Sequence, residues 1–162
     1  MITRNQRGFT LVEVVIVLVL ISIIAATVFT RSITTDQIHI GAQTEQIKIH
    51  IRYAQSMAMK RSAIWGISCA ANEYWIFSGA DPDNGSNQEI LPGEKIVKIS
   101  LDDINLTMDE FTVFFDRFGK PYDAYSDESS NSPLSSDLTI TVSGSQSRNL
   151  TITPETGLIR NQ

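Results

Sequence analysis

The sequence has few of the side chains that usually bind metals or form disulfides. It contains a single cysteine, Cys69, and two histidines, His39 and His50. One cysteine excludes an intrachain disulfide, and these three side chains cannot supply the four nitrogen or sulfur ligands of a structural zinc site. The chain also lacks the motifs of serine hydrolases, phosphate-binding loops and zinc peptidases. We therefore predict no enzyme activity, no cofactor and no metal site, and a domain stabilised by its hydrophobic core alone.

Positive charge is also scarce. The chain has 13 lysines and arginines against 18 aspartates and glutamates, a formal net charge of −5. An acidic protein is repelled by the phosphate backbone, so nucleic-acid binding is disfavoured. The candidate residues for such binding are Lys120, Arg148 and Arg160 with Tyr122, which we expect at one end of the domain. Acidic residues lie among them in the sequence, and three cations are few for a nucleic-acid interface.

Charge is absent from a long apolar segment near the N-terminus. Val14 to Thr30 is a run of 17 residues without a charged side chain, and residues 9–30 make a segment of 22 residues. A helix of this length spans about 33 Å, which matches a hydrocarbon core of about 30 Å. Arg4 and Arg7 precede the run and favour a cytoplasmic N-terminus. We predict a single membrane-spanning helix at residues 9–30, with the following domain on the other side.

A secretory signal peptide is the alternative explanation for this segment. It would have a shorter apolar run followed by small residues at the cleavage site, for which Ala25 and Ala26 are candidates. The observed run is longer, and it contains the carboxylate of Glu13 near its start. A charged side chain in a membrane helix costs about 3 kcal/mol, so Glu13 either has a function or lies near the interface, where it reaches water.

The order GFTLVE at Gly8 to Glu13, after a short basic leader, resembles the type IV prepilin processing motif of pilins and pseudopilins. The resemblance implies that a prepilin peptidase cleaves between Gly8 and Phe9 and that the new amine of Phe9 is N-methylated. It also implies that Glu13 pairs with the N-terminal amine of a neighbouring subunit. In a filament core such a pair would offset two charges that are otherwise buried alone.

The resemblance also implies a function and a location. The chain would be a structural subunit, either a minor pilin of a type IV pilus or a pseudopilin of a type II secretion system. The alternative is a DNA-uptake pilin that binds DNA at the filament tip. The expected partners are other pilins or pseudopilins, the prepilin peptidase, an inner-membrane assembly platform and, before assembly, membrane lipid. The precursor would lie in the inner membrane with its globular domain in the periplasm.

The predicted fold class is α+β, pilin-like, with a long N-terminal helix packed on a C-terminal antiparallel β-sheet. Residues 1–8 form the cleaved leader, 9–30 the membrane or filament-core helix, 31–62 an amphipathic helix and 63–162 a β-rich globular domain. Residues 47–53 alternate as a strand would. A stripe of apolar residues at helical spacing favours a helix instead: Ile40, Ile47, Ile51, Ala54 and Ala58.

The remainder of the chain predicts short strands joined by turns. The predicted strands are 64–69, 74–77, 95–101, 105–108, 112–115, 138–142, 149–153 and 158–160. The Ser- and Asp-rich segment 123–137 is predicted to be a mobile loop. Residues 52–58, 115–121 and 152–157 resemble the GspH/FimT-type pseudopilin domain, with less specific motifs than the N-terminal one.

Three further features each leave an alternative open. The loop Asp81 to Gly85 is either an exposed turn or a calcium site, although it does not have the spacing of an EF-hand. Cys69 is either a buried thiol or the site of an intermolecular disulfide or lipid. His50 is expected to be a solvated or capping side chain rather than a ligand.

Overall fold

The computed structural model describes the backbone of residues 10–161 and the side chains of residues 10–26 and 40–161. The chain divides into two compact units, Met1–Ile38 and His39–Gln162, called the N-terminal and the C-terminal unit below. Gly8 and Phe9, the predicted cleavage site, lie outside the described residues.

A single helix, α1, spans Leu11–Arg61 and contributes to both units. It ends where Ser62 takes a left-handed conformation with φ of 50°. The N–H of Ala63 then donates to the carbonyl of Ala58 at 3.3 Å, the pattern of a Schellman cap. Lys60 and Arg61 lie in the last turn, where positive charge is favourable. The prediction of a helix to residue 61 or 62 is confirmed.

The predicted apolar stripe of α1 forms the helical side of the core. Its five members are all buried: Ile40, Ile47, Ile51, Ala54 and Ala58. Thr44, also buried on this face, satisfies its hydroxyl by donating to the carbonyl of Ile40 at 2.7 Å. Ile49 belongs to the alternating segment and is 59% exposed. The helical period therefore prevails over the strand-like alternation of residues 47–53.

Short strands follow α1 along the rest of the described chain, with one 3-10 turn at Asp102–Ile104. The strands are β1 Trp65–Ala70, β2 Glu73–Ser78, β3 Gln88–Glu89, β4 Ile99–Ser100, β5 Thr107–Met108, β6 Phe111–Phe115, β7 Pro121–Tyr125, β8 Asn131–Pro133, β9 Leu138–Ser143, β10 Ser147–Ile152 and β11 Ile159–Asn161.

The described strands form two antiparallel sheets. Sheet A has the order β3-β2-β1-β6-β7-β8, with β4 also pairing with β2, and sheet B has the order β11-β10-β9-β5. Apolar residues of both sheets join the stripe of α1 in one core, among them Ile67 and Val113 of sheet A and Ile140 and Leu150 of sheet B. The α+β class with a helix followed by antiparallel sheet is confirmed.

Strands β1 and β2, predicted at residues 64–69 and 74–77, pair as an antiparallel hairpin. Ala70 pairs with Glu73, and the two turn residues Ala71 and Asn72 have φ of 49° and 61°. Positive φ at both central residues is the geometry of a two-residue hairpin whose twist matches that of the strands. Within each strand, successive side chains point to opposite faces of sheet A.

Sheet A also has a second, smaller aromatic cluster. Trp75, Phe77 and Phe114 are buried in this cluster, and Tyr122 and Tyr125 pack against it. The rings of Phe77 and Phe114 meet edge to face at 5.2 Å between centroids. These residues alternate with the core residues of the same strands, so the cluster lies on the face of the sheet opposite the main core.

The predicted mobile loop at 123–137 is wrong in part. Strand β7 covers the start of this segment and β8 its middle, joined by a turn at Asp127. One carboxylate oxygen of Asp127 accepts the N–H groups of Ser129 at 2.8 Å and Ser130 at 2.7 Å. The hydroxyl of Ser129 donates to the same oxygen at 2.7 Å. This hydrogen bond, together with the two from the backbone, lowers the pKa of Asp127 and closes the hairpin. The polar composition of the segment indicated a loop. The hydrogen bonds to Asp127 and the pairing of β7 with β6 instead make it a hairpin.

Two other strand predictions also need correction. The strand expected at 95–101 is reduced to the two residues of β4, and β3 lies between the predicted strands 74–77 and 95–101, where no strand was predicted. Both strands are short and pair only with β2. Pairs of this length depend on a neighbouring strand rather than on their own apolar pattern, so the sequence contains little signal for them.

The three stretches that resemble the GspH/FimT-type domain meet at the side chain of Gln55. Its amide Nε2 donates to the carbonyl of Gly119 and to that of Thr156, both at 2.9 Å. Gly157 has φ of 60°, and a Cβ there would lie 2.6 Å from Nε2 of Gln55. Lys120 and Glu155 form an ion pair at 2.8 Å beside it. We call this set of contacts the Gln55 junction.

Candidate functional site

The first turn of α1 has a hydroxyl cap. Thr10 precedes the helix, and its Oγ1 accepts the N–H of Glu13 at 3.3 Å. A threonine followed three residues later by glutamate is the sequence of a capping box. The carboxylate of Glu13 lies in the first turn, where the partial positive charge of the helix N-terminus favours it. Thr10 and Glu13 therefore have a local structural role in addition to any role in assembly.

The next four turns of α1 expose apolar side chains on every side. All residues from Leu11 to Ala26 are exposed, and Leu11 has the largest exposed fraction among the large apolar ones, 80%. A helix that is apolar all round normally lies in a protein core or in a membrane. In this unit the chain offers no cover within the described residues, so the surface fits either lipid or the helices of other molecules.

Polar groups within this apolar surface are few and locally satisfied. Between residues 14 and 26 the only polar side chain is Ser22. Its hydroxyl donates to the carbonyl of Val19 at 2.7 Å, within the same helix. Because the Ser22 hydroxyl is hydrogen-bonded within its own helix, it needs neither water nor another molecule as a partner. It can therefore be buried in lipid or among other helices at little cost.

Among the described residues, no helix is both long and apolar enough to cross a membrane. The membrane-spanning segment predicted at residues 9–30 extends at both ends beyond the residues whose side chains are described.

Comparison with known proteins supports the interpretation of the N-terminus. A protein-family model described as the prokaryotic N-terminal methylation motif matches residues 3–29. The match supports a type IV prepilin-like protein. It covers the predicted cleavage site, Gly8 and Phe9, and also Glu13. Comparison with curated proteins and with solved structures gives no significant match to this chain.

The cations considered for nucleic-acid binding are not gathered at one end of the C-terminal unit. Lys120 pairs with Glu155 at the Gln55 junction. A Cβ on Gly41 would lie 3.6 Å from the guanidinium of Arg148. Gly41 and Gln55 are 14 residues apart on α1, about 21 Å along a helix axis. The expectation that Lys120 and Arg148 lie at the same end is therefore wrong.

His50 is buried, contrary to the prediction of a solvated or capping side chain. Its Nδ1 lies 3.0 Å from the hydroxyl of Tyr74 on β2, also buried. Burial lowers the pKa of His50, and the charge of Glu94 partly opposes that shift. Burial likewise raises the pKa of Tyr74. The pair is a hydrogen-bonded polar contact inside the core, which helical spacing alone does not reveal because its partner lies 24 residues away.

Cys69 is buried in β1, and the prediction of a buried thiol is confirmed. Burial, with the charges of Glu110 and Asp109, raises the pKa of the thiol to about 11. The thiol therefore has little thiolate near neutral pH, and thiolate is the reactive form.

Side chains of the loop at Asp81 form hydrogen bonds with backbone groups of the same loop. Oδ1 of Asp81 accepts the N–H of Asp83 at 3.0 Å, and Oδ1 of Asn84 accepts that of Ser86 at 3.1 Å. These are the side-chain bonds of ordinary turns. Among residues 10–26 and 40–161, whose side chains are described, no group of three or more His, Cys, Asp or Glu side chains could hold a metal ion.

Proposed function

We propose that this chain is a structural filament subunit, either a minor pilin of a type IV pilus or a pseudopilin of a type II secretion system. The observation that carries the proposal is the methylation-motif match at residues 3–29. A prepilin peptidase would cleave between Gly8 and Phe9 and methylate the amine of Phe9. The three stretches that meet at the Gln55 junction support a domain of the GspH/FimT type.

The apolar surface of α1 supports assembly through this helix. Contiguous exposed apolar patches larger than a few hundred Å² are rare on soluble monomers and mark interaction surfaces. Lipid of the inner membrane would cover residues 11–26 before assembly, and the equivalent helices of neighbouring subunits would cover them in the filament. Lipid tails are as apolar as these side chains, so the exchange from lipid contacts to helix contacts is driven by packing rather than by the hydrophobic effect.

Glu13 would provide the register of assembly. Among apolar helices its carboxylate needs a positive partner, because an unpaired buried charge is strongly unfavourable. The amine of Phe9 on an adjacent subunit would supply that charge after cleavage. In the isolated subunit, the partial positive charge of the helix N-terminus stabilises the Glu13 carboxylate, and the hydrogen bond to Thr10 stabilises the first turn of α1.

Processing is tested by mass spectrometry of the protein extracted from membranes. We expect an N-terminus at N-methylated Phe9. A terminus after Ala25 or Ala26 would instead mean an ordinary signal peptide and would overturn the proposal.

Assembly is tested with two substitutions of Glu13. Glu13→Gln keeps the shape and removes the charge, so processing should survive while co-purification with filament subunits decreases. Glu13→Leu should insert into the membrane more readily and still assemble poorly, which separates pairing from solvation. Glu89→Gln, an exposed glutamate on the edge strand β3, is the matched control. Wild-type assembly of both Glu13 variants would contradict the pairing role, and the co-purified proteins would distinguish a pilus from a secretion system.

A further inference from the structure

A cavity of about 330 Å³ opens on the surface of the C-terminal unit. It lies where the end of α1 meets the turn between β6 and β7 and the hairpin of β7 and β8. Three aromatic residues, Phe118, Tyr122 and Tyr125, line it together with the carboxylates of Asp116 and Glu128. Sites for small ligands start at about 300 Å³. The cavity therefore has room for one side chain or a molecule of similar size.

The aromatic rings of the cavity are held by packing. Tyr122 and Tyr125 meet edge to face, with 5.6 Å between ring centroids and 84° between ring planes. Tyr125 also contacts the buried ring of Phe114, at 6.5 Å between centroids. Phe118, by contrast, is 75% exposed. Aromatic rings carry partial negative charge on their faces and partial positive charge at their edges, so a cation is attracted to a ring face.

The carboxylate of Asp116 is fixed in the cavity wall. Its Oδ1 accepts the N–H groups of Phe118 at 2.8 Å and Lys120 at 2.9 Å, and its Oδ2 accepts the hydroxyl of Tyr122 at 3.2 Å. Glu128 is exposed, and its side chain has no hydrogen-bond partner among the described residues. The carboxylate of Asp116 is therefore already hydrogen-bonded within the protein, whereas that of Glu128 is available to a ligand.

Negative charge predominates around the rings. Burial raises the pKa of Tyr125, and the charges of Glu128, Asp116 and Asp127 raise it further, while Arg117 alone lowers it. The guanidinium of Arg117 lies 4.9 Å from the ring centroid of Phe118, so this wall already holds one cation against an aromatic ring. Lys120 has an effect on Tyr122 opposite to that of the carboxylates, but it is paired with Glu155. The three carboxylates therefore outweigh the cations around the two rings and leave a net attraction for a further cation.

We propose that the cavity binds an organic cation, an ammonium or guanidinium group on a stem no longer than a lysine or arginine side chain. The faces of Tyr122 and Tyr125 would receive the charged group, and the carboxylate of Glu128 would pair with it. Aromatic rings with a nearby carboxylate are a recurring solution for such cations. All the residues that line the cavity belong to the C-terminal unit.

The test uses the full-length protein in detergent micelles with carbon-13-labelled tyrosine, observed by NMR. The probes are the peptide acetyl-Gly-Lys-Gly-amide, the same peptide with norleucine in place of lysine, and n-butylammonium. We expect the lysine peptide to shift the ring signals of Tyr122 and Tyr125, with Kd of about 1–10 mM, a weak one-side-chain affinity. The buried ring of Tyr74, on the other side of the sheet, should not shift.

Three substitutions with different expected effects sharpen the test. Glu128→Gln should weaken binding of the lysine peptide about threefold to tenfold, the range of a cation bound by rings and a carboxylate. Arg117→Gln removes the competing cation and should strengthen binding. Glu89→Gln removes a glutamate from β3, at the opposite edge of sheet A, and should change nothing.

The outcomes are distinct. Equal affinity for the norleucine peptide, an unchanged affinity in Glu128→Gln, or no shift of either tyrosine would overturn the proposal. If n-butylammonium binds as well as the lysine peptide, the ligand is a free amine. If the peptide binds more tightly, contacts with a polypeptide contribute and the ligand is a side chain of a protein partner.

Discussion

The two halves of α1 carry their apolar residues in different patterns. From Leu11 to Ala26 apolar side chains surround the helix, and all are exposed. From Ile40 to Ala58 they follow one face and are buried, Ile51 completely. The arrangement of the apolar residues therefore decides what covers each half. A one-sided stripe is covered by the chain's own sheets, whereas an all-round apolar surface needs other molecules.

The largest expected effect comes from truncation of the buried stripe. Ile51→Ala should lower the free energy of unfolding of the C-terminal unit by about 2–5 kcal/mol, because it removes core contacts and leaves a cavity. Ile49→Ala on the exposed face of the same helix and Ile16→Ala in the N-terminal half should each change it by less than about 0.5 kcal/mol. Urea unfolding of the full-length protein in detergent, followed by near-UV circular dichroism, measures all three. An equal loss in Ile16→Ala would break the comparison between the two halves.

The Gln55 junction should give the next effect. Gln55→Ala removes the donor to two carbonyls from separate loops and should lower the free energy of unfolding by about 2 kcal/mol. Ser22→Ala is the counterpart in the N-terminal half. Because the Ser22 hydroxyl bonds only within its own helix turn, this change should leave the stability of the C-terminal unit unaltered. The same urea titration tests both, and a stable Gln55→Ala variant would mean that the junction is not needed for the fold.

The buried histidine should make the C-terminal unit sensitive to mild acid. The pKa of His50 is lowered by burial, so the unfolded chain takes up a proton at higher pH than the folded chain does. Stability should therefore decrease as the pH falls below about 6.5, the ordinary value for histidine.

Unfolding midpoints at pH 7.5, 6.5 and 5.5 measure this dependence. His50→Gln keeps a polar partner for Tyr74 and should flatten the profile, whereas Ile49→Ala, an exposed position on the same helix that carries no titratable group, is the control and should leave the pH dependence unchanged. A profile that His50→Gln does not alter would show that other groups cause the acid sensitivity.

The smallest expected effect is on the reactivity of Cys69. In the folded protein its thiol should not be alkylated and should not form an intermolecular disulfide. With its pKa raised to about 11 and its side chain buried, Cys69 should remain unlabelled by iodoacetamide at pH 8 and react only after urea unfolding. Mass spectrometry gives the labelled fraction. Rapid labelling of the folded protein, or a disulfide-linked dimer on a non-reducing gel, would contradict the buried position and favour an intermolecular role.

Periodic and local features were predictable because neighbours in the sequence produce them. The stripe of α1 repeats every three to four residues, and the turn at residues 70–73 lies between two apolar runs. The N-terminal motif is similarly contiguous. Strands β7 and β8 were not predicted, because their order depends on pairing with β6 and on a turn closed by Asp127 rather than on an apolar alternation.

The candidate cavity was missed for the same reason. Tyr122 was considered only with the cations of a candidate nucleic-acid site and Glu128 only as part of a loop, and no sequence period connects them. A tyrosine-rich strand followed by an Asp-Glu-Ser-Ser turn is the one local signal that could have indicated a hairpin here. The packing of the two tyrosine rings against Phe114 then places them at a common opening.

By itself the sequence determined the prepilin-like N-terminus, the long helix and its change from all-round to one-sided apolar character, since each depends on residues a few positions apart. Tertiary structure alone decided which distant groups meet. It joined Gln55 to carbonyls 64 and 101 residues away, buried His50 against Tyr74, and separated Lys120 from Arg148. Such contacts arise from the pairing and packing of whole strands, which no local pattern encodes.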